Sequence, residues 1–573
     1  MHGDNKGSKQ FFKFLSKYKF AVLFVALLSI GINGLTLLLP RVTSRAIDSL
    51  FPINTFDQNE IIFSYGILST IIFLGGVLLS FLSNLLAERM AYDIRQMIAK
   101  KLSKQSFSYI TTLSTSKILT NLTSDVDAVK NFITQGIVVV FSSLILLFGS
   151  AISLLTINWQ LSIPVLLIVP ILFVSFGLIF ARISKYFTKA QEIIDRLNRI
   201  INETIVGAPI IRVLNSQKNE KKKFEVINQD ARQTGIKIVN GFAFLVPFIS
   251  FLANVSILIV LGYGGIQVID QSLSPGNFAA FFTYVGTFIT PIILLGFLGT
   301  VFTRAFASYN RIAEILNAKV EVKSGTLKTE IKGNFEFKNV SLTQNKTEIL
   351  KDITFEIQSG TRTAIIGPTA SGKTQLIYLL SGLLYPTKGE IILDNRNIND
   401  YSNEYLYSQI GIVFQDSVLF NTSIRENIAF KEKINEKNLE KAIKTAELDE
   451  LVKKLDKGID TIISERGASL SGGQKQRLTL ARALALNPKV LILDDFTARV
   501  DIKTEAQIFK NIRENYKGIT IISVTQKIDP IKDYDQIFLI MEGELLAKGK
   551  HEDLLATSFE YQQIFSSQKS ITT

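Results

Sequence analysis

Residues 470–501 read LSGGQKQRLTLARALALNPKVLILDDFTARVD, and this stretch decides the fold of the second half of the chain. Ser471, Gly472 and Gly473 lack bulk where the following segment starts a helix, so their backbone amides can approach an anion closely. Bare N–H groups and the positive end of a helix dipole make such a position an anion site. Val490-Leu491-Ile492-Leu493 is apolar without alternation, which predicts a strand buried on both faces. That strand delivers Asp494 and Asp495 to its carboxyl end, where open α/β sheets bind ligands. One carboxylate there can hold Mg²⁺ through water; the next would have to handle an attacking water.

Upstream, Gly367, Pro368, Thr369, Ala370, Ser371, Gly372, Lys373 and Thr374 spell GPTASGKT. The run follows an apolar strand, Ala364-Ile365-Ile366, and opens a helix from Gln375 to Leu380, which is the context a P-loop requires. Its amides would cradle the phosphates of ATP, with Lys373 on the β and γ groups and the Thr374 hydroxyl on Mg²⁺.

The 573 residues exceed what one core organises, so at least two domains are expected. Hydrophobic residues make up 47% of the chain and concentrate in its first half. Six apolar segments, near residues 20–40, 61–86, 133–157, 160–181, 242–268 and 276–303, each approach the roughly 20 residues needed to cross a bilayer. Connections 87–130 and 182–240 are long and rich in Lys and Arg, which assigns them, both termini and the P-loop domain to the cytoplasm. They show three- and four-residue apolar spacing, so the membrane helices extend beyond the bilayer. Trp159 lies between the third and fourth segments as an interface anchor.

Residues 8–19, SKQFFKFLSKYK, suit a short amphipathic helix in the interface rather than a disordered basic start. The spans hold no mid-membrane Lys, Asp or Glu, which favours ATP as the energy source over an ion gradient. Phe242, Phe244, Phe248, Phe251, Phe281 and Phe282 suit lipid-facing or helix-packing positions, or the lining of a lipophilic cavity. The +13 formal charge follows from the cytoplasmic loops, since no base-reading motif accompanies it and nucleic acid is not expected as a partner. Absence of cysteine excludes a disulfide framework, a thiol nucleophile and a Cys-type zinc site. The two histidines, His2 and His551, leave no histidine chemistry in the core, and His551 reads as structural.

At these residues the chain resembles the ATP-binding cassette (ABC) family. LSGGQ matches the family signature and LILDD its Walker B strand. Gln415 falls at the Q-loop position, and Ser464-Glu465-Arg466-Gly467 resembles the segment before the signature in exporter-type members. The resemblance implies an all-α six-helix transmembrane domain (20–318, after an N-terminal helix in 1–19) fused to an α/β P-loop cassette (333–573). It implies short transverse helices near Leu113–Ile118 and Gly207–Leu214 that press on the cassettes, and Mg²⁺ held by Thr374, Gln415 and Asp494. It also implies a head-to-tail pair of cassettes, in which Ser471, Gly472, Gly473 and Gln474 complete the partner's site.

Four positions depart from the family. Asp495 stands where working members place a glutamate, Gln526 where they place a histidine, and Gln344 where an aromatic stacks on adenine. Ala498-Arg499 replaces a usual Ser-Ala pair. All four belong to this chain's own P-loop site, while the signature is intact. The resemblance therefore implies the degenerate subunit of a heterodimeric multidrug exporter, with lipophilic or peptide cargo and a bilayer around it. A slow homodimer, a lipid flippase or importer, and a non-transporting membrane ATPase or sensor are the other readings.

Overall fold

The computed structural model describes residues 11, 14–49, 58–320, 325–344, 346–430, 434–464 and 470–572. Glu465–Gly467 and parts of the expected N-terminal helix lie outside those residues. The chain divides into two compact units, Met1–Ser103 with Leu113–Ala318, and Lys104–Thr112 with Lys319–Thr573.

Among the described residues of the first unit, six helices are long and apolar enough to cross a membrane: Lys19–Asp48, Asn59–Leu102, Thr115–Ile157, Trp159–Val206, Gln217–Ile269 and the segment from Pro275. The helix Gln58–Leu102 has 45 residues. At 1.5 Å per residue that is about 65 Å, roughly twice the hydrocarbon thickness of a bilayer. Ile168–Val206 and Gln217–Ile259 are similarly long, so the charged connections are mostly continuous helix.

Polar side chains lock the bundle at defined points. Asn33 donates to Ser142 Oγ at 2.9 Å and Ser29 and Ser142 share a hydroxyl contact at 2.8 Å, joining the first and third helices. Asp48 accepts from Gly276 N at 2.7 Å and Ser274 Oγ at 2.8 Å, placing a carboxylate at the positive end of the helix Pro275–Asn317. Only glycine fits there, because a Cβ on Gly276 would lie 2.0 Å from the Ser44 carbonyl oxygen. Asp125, buried at the end of a π-helical turn (Asn121–Asp125), accepts both forks of Arg311, with Nε at 3.0 Å.

Phe11 and Phe14 turn inward. Phe11 is fully buried, its ring 4.9 Å from Tyr309 and 5.8 Å from Phe132, and Phe14 joins the same cluster. Of the six phenylalanines singled out, Phe281 is buried, whereas Phe244 and Phe251 are more than half exposed. Trp159 is exposed at the first turn of its helix, which Asn158 caps by accepting from Leu161 N at 3.0 Å.

In the second unit, β1 (Phe335–Gln344), β2 (Thr347–Ile357), β4 (Lys388–Leu393) and β5 (Arg396–Asn397) form a four-stranded antiparallel sheet, order β2-β1-β4-β5. A six-stranded sheet has the order β10-β9-β3-β8-β7-β6. Its strands are β3 (Arg362–Ile366), β6 (Ile410–Val413), β7 (Val490–Asp494), β8 (Thr520–Thr525), β9 (Gln536–Met541) and β10 (Glu544–Gly549). Pairing from β9 across to β6 is parallel, and only β10 is antiparallel. Among the described residues, the helices of eight residues or more in this unit are α1 (Lys373–Leu380), α2 (Glu436–Thr445), α3 (Gly472–Ala485), α4 (Ile502–Asn515) and α5 (Phe559–Thr572). All five residues of β7 are buried, as its continuous apolar run predicts.

Lys104–Thr112 belongs to this second unit, where the Phe107 ring lies 4.8 Å from Tyr378. The segment packed on the cassette thus ends one residue before the Leu113–Ile118 stretch read from sequence. A hydrophobic ring on a short helix, rather than the sequence position of the turn, sets the contact. The other expected tip, Ala208–Val213 in the first unit, is a short helix that exposes Ile210 and Val213.

Candidate functional site

The strand register assembles the site. β3 pairs Ile366 with Thr525 of β8, β8 pairs Val524 with Asp494 of β7, and β7 pairs Leu493 with Val413 of β6. Gly367, Gln526, Asp495 and Gln415 therefore leave neighbouring strands within two residues of the same carboxyl edge. Parallel pairing, which sequence spacing does not specify, is what brings these four distant segments together.

The P-loop departs from ordinary backbone at three points: Gly367 (φ 155°), Ala370 (φ 65°) and Gly372 (φ 98°). At Gly367 a Cβ would come 2.0 Å from the Ile540 carbonyl oxygen, so the loop lies against β9 with no room for a side chain. Lys373 begins α1 and curls back over its own loop, donating to Gly367 O at 2.9 Å and Pro368 O at 2.6 Å. This holds the ammonium against the loop whose amides would bind a chain of phosphates. Burial pulls the Lys373 pKa below its ordinary value, while Asp494 and Asp495 pull the other way. Thr374 and Gln375 follow in the first turn, both half-buried.

Asp494, the last residue of β7, is 5% exposed. Burial, and then the charge of Asp495, push its carboxyl up to about 6, against the opposing pull of Lys373; Asp416 adds to the rise. Asp494, Thr374 and Gln415 bring a carboxylate, a hydroxyl and an amide oxygen to the same carboxyl edge, an all-oxygen donor set of the kind that fits Mg²⁺ completed by substrate oxygens and water. Asp495 adopts a left-handed backbone (φ 46°) and its N–H donates to Val524 O at 2.8 Å. That bond fixes where the side chain starts. Gln415 is exposed beyond β6, and Gln344 is half-buried at the end of β1, opposite Thr347.

The signature occupies a different place. Ser471 caps α3 in a reciprocal box: its Oγ accepts from Gln474 N at 3.3 Å, and its N–H donates to Gln474 Oε1 at 2.9 Å. The side chains of this pair thus hold the cap, leaving the Gly472 and Gly473 amides at the helix N-terminus. Arg499, assigned from the sequence to the P-loop site, instead closes over both signature glycines, since a Cβ on Gly472 would sit 3.0 Å from Arg499 Cδ. With Arg477 and Asp501 these residues line a cavity of about 420 Å³ that no P-loop residue enters. Ser471–Gln474 and Gly367–Thr374 therefore form separate surfaces of one chain.

His551 lies outside both surfaces. Its Nδ1 is 2.7 Å from the Tyr561 hydroxyl, and its ring packs 5.2 Å from Phe565. Two residues near the site escaped the sequence reading. Asp416 acts on the Asp494 carboxyl through space, and Gln568 of α5 hydrogen-bonds the loop carrying Gln526. The first was legible as an acid beside Gln415; no local pattern marks the second.

Family descriptions match over both units: "ABC transporter transmembrane region" over residues 22–292 and "ABC transporter" over residues 350–498. The chain is 33% identical over 505 residues to the ABC transporter ATP-binding protein YfiB of Bacillus subtilis (strain 168), covering 87% of this chain and 88% of the relative. It is 32% identical over 489 residues to the multidrug resistance-like ATP-binding protein MdlA of Buchnera aphidicola subsp. Schizaphis graminum (strain Sg), covering 84% of each. It is 28% identical over 559 residues to the ATP-dependent lipid A-core flippase of Syntrophus aciditrophicus (strain SB), covering 95% of this chain and 91% of the flippase. Among solved structures, a bacterial Atm1-family ABC exporter with ATP bound shares the fold with a TM-score of 0.77 at 22% identity, covering 96% of this chain and 98% of the exporter chain.

Proposed function

The chain belongs to the ABC transporter family, and from that premise we propose that it is one half of a heterodimeric exporter whose own P-loop site binds Mg·ATP but hydrolyses it slowly. The cassette makes it an ATP-driven transporter of exporter architecture; the division of labour between two sites is the proposal. Asp495 carries the reading. Its backbone is held by the bond to Val524, so the carboxylate ends one methylene short of a glutamate's reach. Gln526, at the adjacent strand end, can donate a hydrogen bond to a γ-phosphate but brings no positive charge. Lys373, Thr374 and Asp494 remain in place for binding.

The signature half supports the complementary role. Its capping box is complete, and Arg477 and Arg499 line the same cavity, so a partner's P-loop would meet an intact anion-binding helix end. ATP binding across the pair would close the cassettes, and hydrolysis at the partner's site would reset them. The relatives' names, multidrug resistance-like protein and lipid A-core flippase, support drugs or lipids within the proposed range of lipophilic compounds, drugs, lipids or peptides. The Lys/Arg-rich connections support a cytoplasmic-membrane protein with both termini and the cassette in the cytoplasm. The test is steady-state ATP hydrolysis by this chain alone, with ATP binding measured in the same sample. Binding without appreciable turnover is expected; brisk turnover abolished by Lys373→Ala would establish a homodimer in which Asp495 suffices.

A further inference from the structure

The loop after β8 carries Gln526, and its main chain is held mostly from outside. Within the loop, Lys527 N donates to Thr525 Oγ1 at 3.1 Å. The two flanking main-chain groups are bound by a single side chain some forty residues further on. Gln568 Nε2 donates to the Gln526 carbonyl at 2.6 Å, and Gln568 Oε1 accepts from Ile528 N at 2.9 Å. A carbonyl can only accept and an N–H can only donate, so these partners also settle which way the Gln568 amide points. The side chain thus pairs with the loop as a peptide group of an adjoining strand would.

Both ends of this clasp are anchored. α5 is seated by Tyr561, fully buried with its hydroxyl on His551, in a core shared with Ile528, Ile531 and Tyr534. The base of the loop is fixed by β8, which pairs with β3 at Thr525 and accepts from Asp495 N at Val524. Gln526 sits between these anchors. Gln568 is thus a direct polar link from α5 to the main chain on either side of Lys527, beside the packing of Tyr561 with Ile528. Lys527 and Gln568 also line an open cavity of about 530 Å³ with Glu505, Phe509, Asp529 and Tyr534, so the clasp lies at a surface that can rearrange and not deep in the core.

We propose that Gln568 is a positioning residue: it couples the C-terminal helix to the loop that presents Gln526 to the terminal phosphate of ATP. The assignment of Gln526 to that phosphate rests on the function proposed above; the clasp itself rests on geometry alone. The experiment separates the two. Hydrogen–deuterium exchange, read by mass spectrometry on the full-length chain, follows peptides spanning residues 524–530 without nucleotide. Gln568→Ala removes two hydrogen bonds and is expected to raise exchange there about tenfold. Gln568→Glu keeps an acceptor for Ile528 N and is expected to restore protection at that amide. Gln563→Ala, on the same helix, is the control expected to leave exchange unchanged.

ATP and ADP affinities are then measured on the same variants. Gln568→Ala is expected to weaken ATP about threefold and leave ADP unaltered, because only ATP carries the phosphate that Gln526 meets. A general loosening of the cassette would weaken both. Unchanged exchange at 524–530 in Gln568→Ala, or equal losses for ATP and ADP, overturns the positioning role. Failure of the wild-type chain to bind ATP at all would instead remove the function proposed above while leaving the exchange result standing.

Discussion

Replacing Asp495 with glutamate should switch this chain's own site on. The substitution adds one methylene, moving the carboxylate outward by about 1.5 Å from a backbone already held by the bond to Val524 O. Misplacement of a catalytic group by about 1 Å costs roughly a hundredfold, and loss of general-base assistance costs about 10² to 10⁴. With Gln526 still lacking a positive charge, only part of that is recoverable. Asp495→Glu is therefore expected to raise turnover about ten- to a hundredfold, with ATP affinity unchanged within about twofold. Position 495 is left-handed (φ 46°), a conformation Asp tolerates better than Glu, so stability should fall by less than about 1 kcal/mol. The assay is steady-state phosphate release by the purified chain in lipid nanodiscs, with Lys373→Ala as the blank. In a head-to-tail pair of identical chains each P-loop meets an intact signature, so no foreign partner is needed to see the gain. Turnover that stays flat or drops, while ATP still binds, would refute the argument that carboxylate reach limits this site.

Two further outcomes follow from charges the fold buries. Because Asp494 is raised from 3.8 to about 6, it takes up a proton as pH falls below about 6, and Mg²⁺-dependent ATP affinity should decline between pH 7 and pH 5. ATP affinity measured with the metal chelated should change less over that range. The linked stability has the opposite sense: what a raised carboxyl contributes is present below pH 3.8 and is lost as pH rises through about 6. In the membrane unit, Arg311→Ala leaves Asp125 buried without its fork of donors. Breaking a buried pair from one side costs about 3–5 kcal/mol; with Arg311 itself nearly half exposed, a loss of about 3 kcal/mol in detergent-solubilised unfolding is expected. Unaltered stability would mean that water or a neighbouring donor replaces the guanidinium.

Much of the site was legible because its chemistry is local. A loop so close to β9 that a Cβ at 367 would fall 2.0 Å from the Ile540 carbonyl oxygen requires glycine there, and α3 requires a cap, which Ser471 and Gln474 write three residues apart. The unbroken apolar run of β7 announces burial on both faces, and six long apolar segments announce spans. Other readings gave way to packing. The aromatics at Phe11 and Phe14 read as an interfacial face, yet Tyr309 and Phe132 offer them a core. The loop packed on the cassette ends at Thr112 because Phe107 finds Tyr378, which no spacing in the loop foretells.

By itself the sequence determined which groups are available: a phosphate loop with Lys373, an intact signature, a strand ending in Asp494 and Asp495, and no histidine for the switch position. The tertiary structure decided which of them meet. Parallel register places Gly367, Gln415, Asp495 and Gln526 at one sheet edge, while the signature cap is set on a separate surface beside Arg499. It also gave Gln568 a task that its neighbours in sequence do not hint at. Turn, cap and strand propensities depend on a few adjacent residues and can be read from the chain. Electrostatic coupling and a two-point hydrogen bond depend on distances between segments far apart in sequence, and those exist only once the cores have packed.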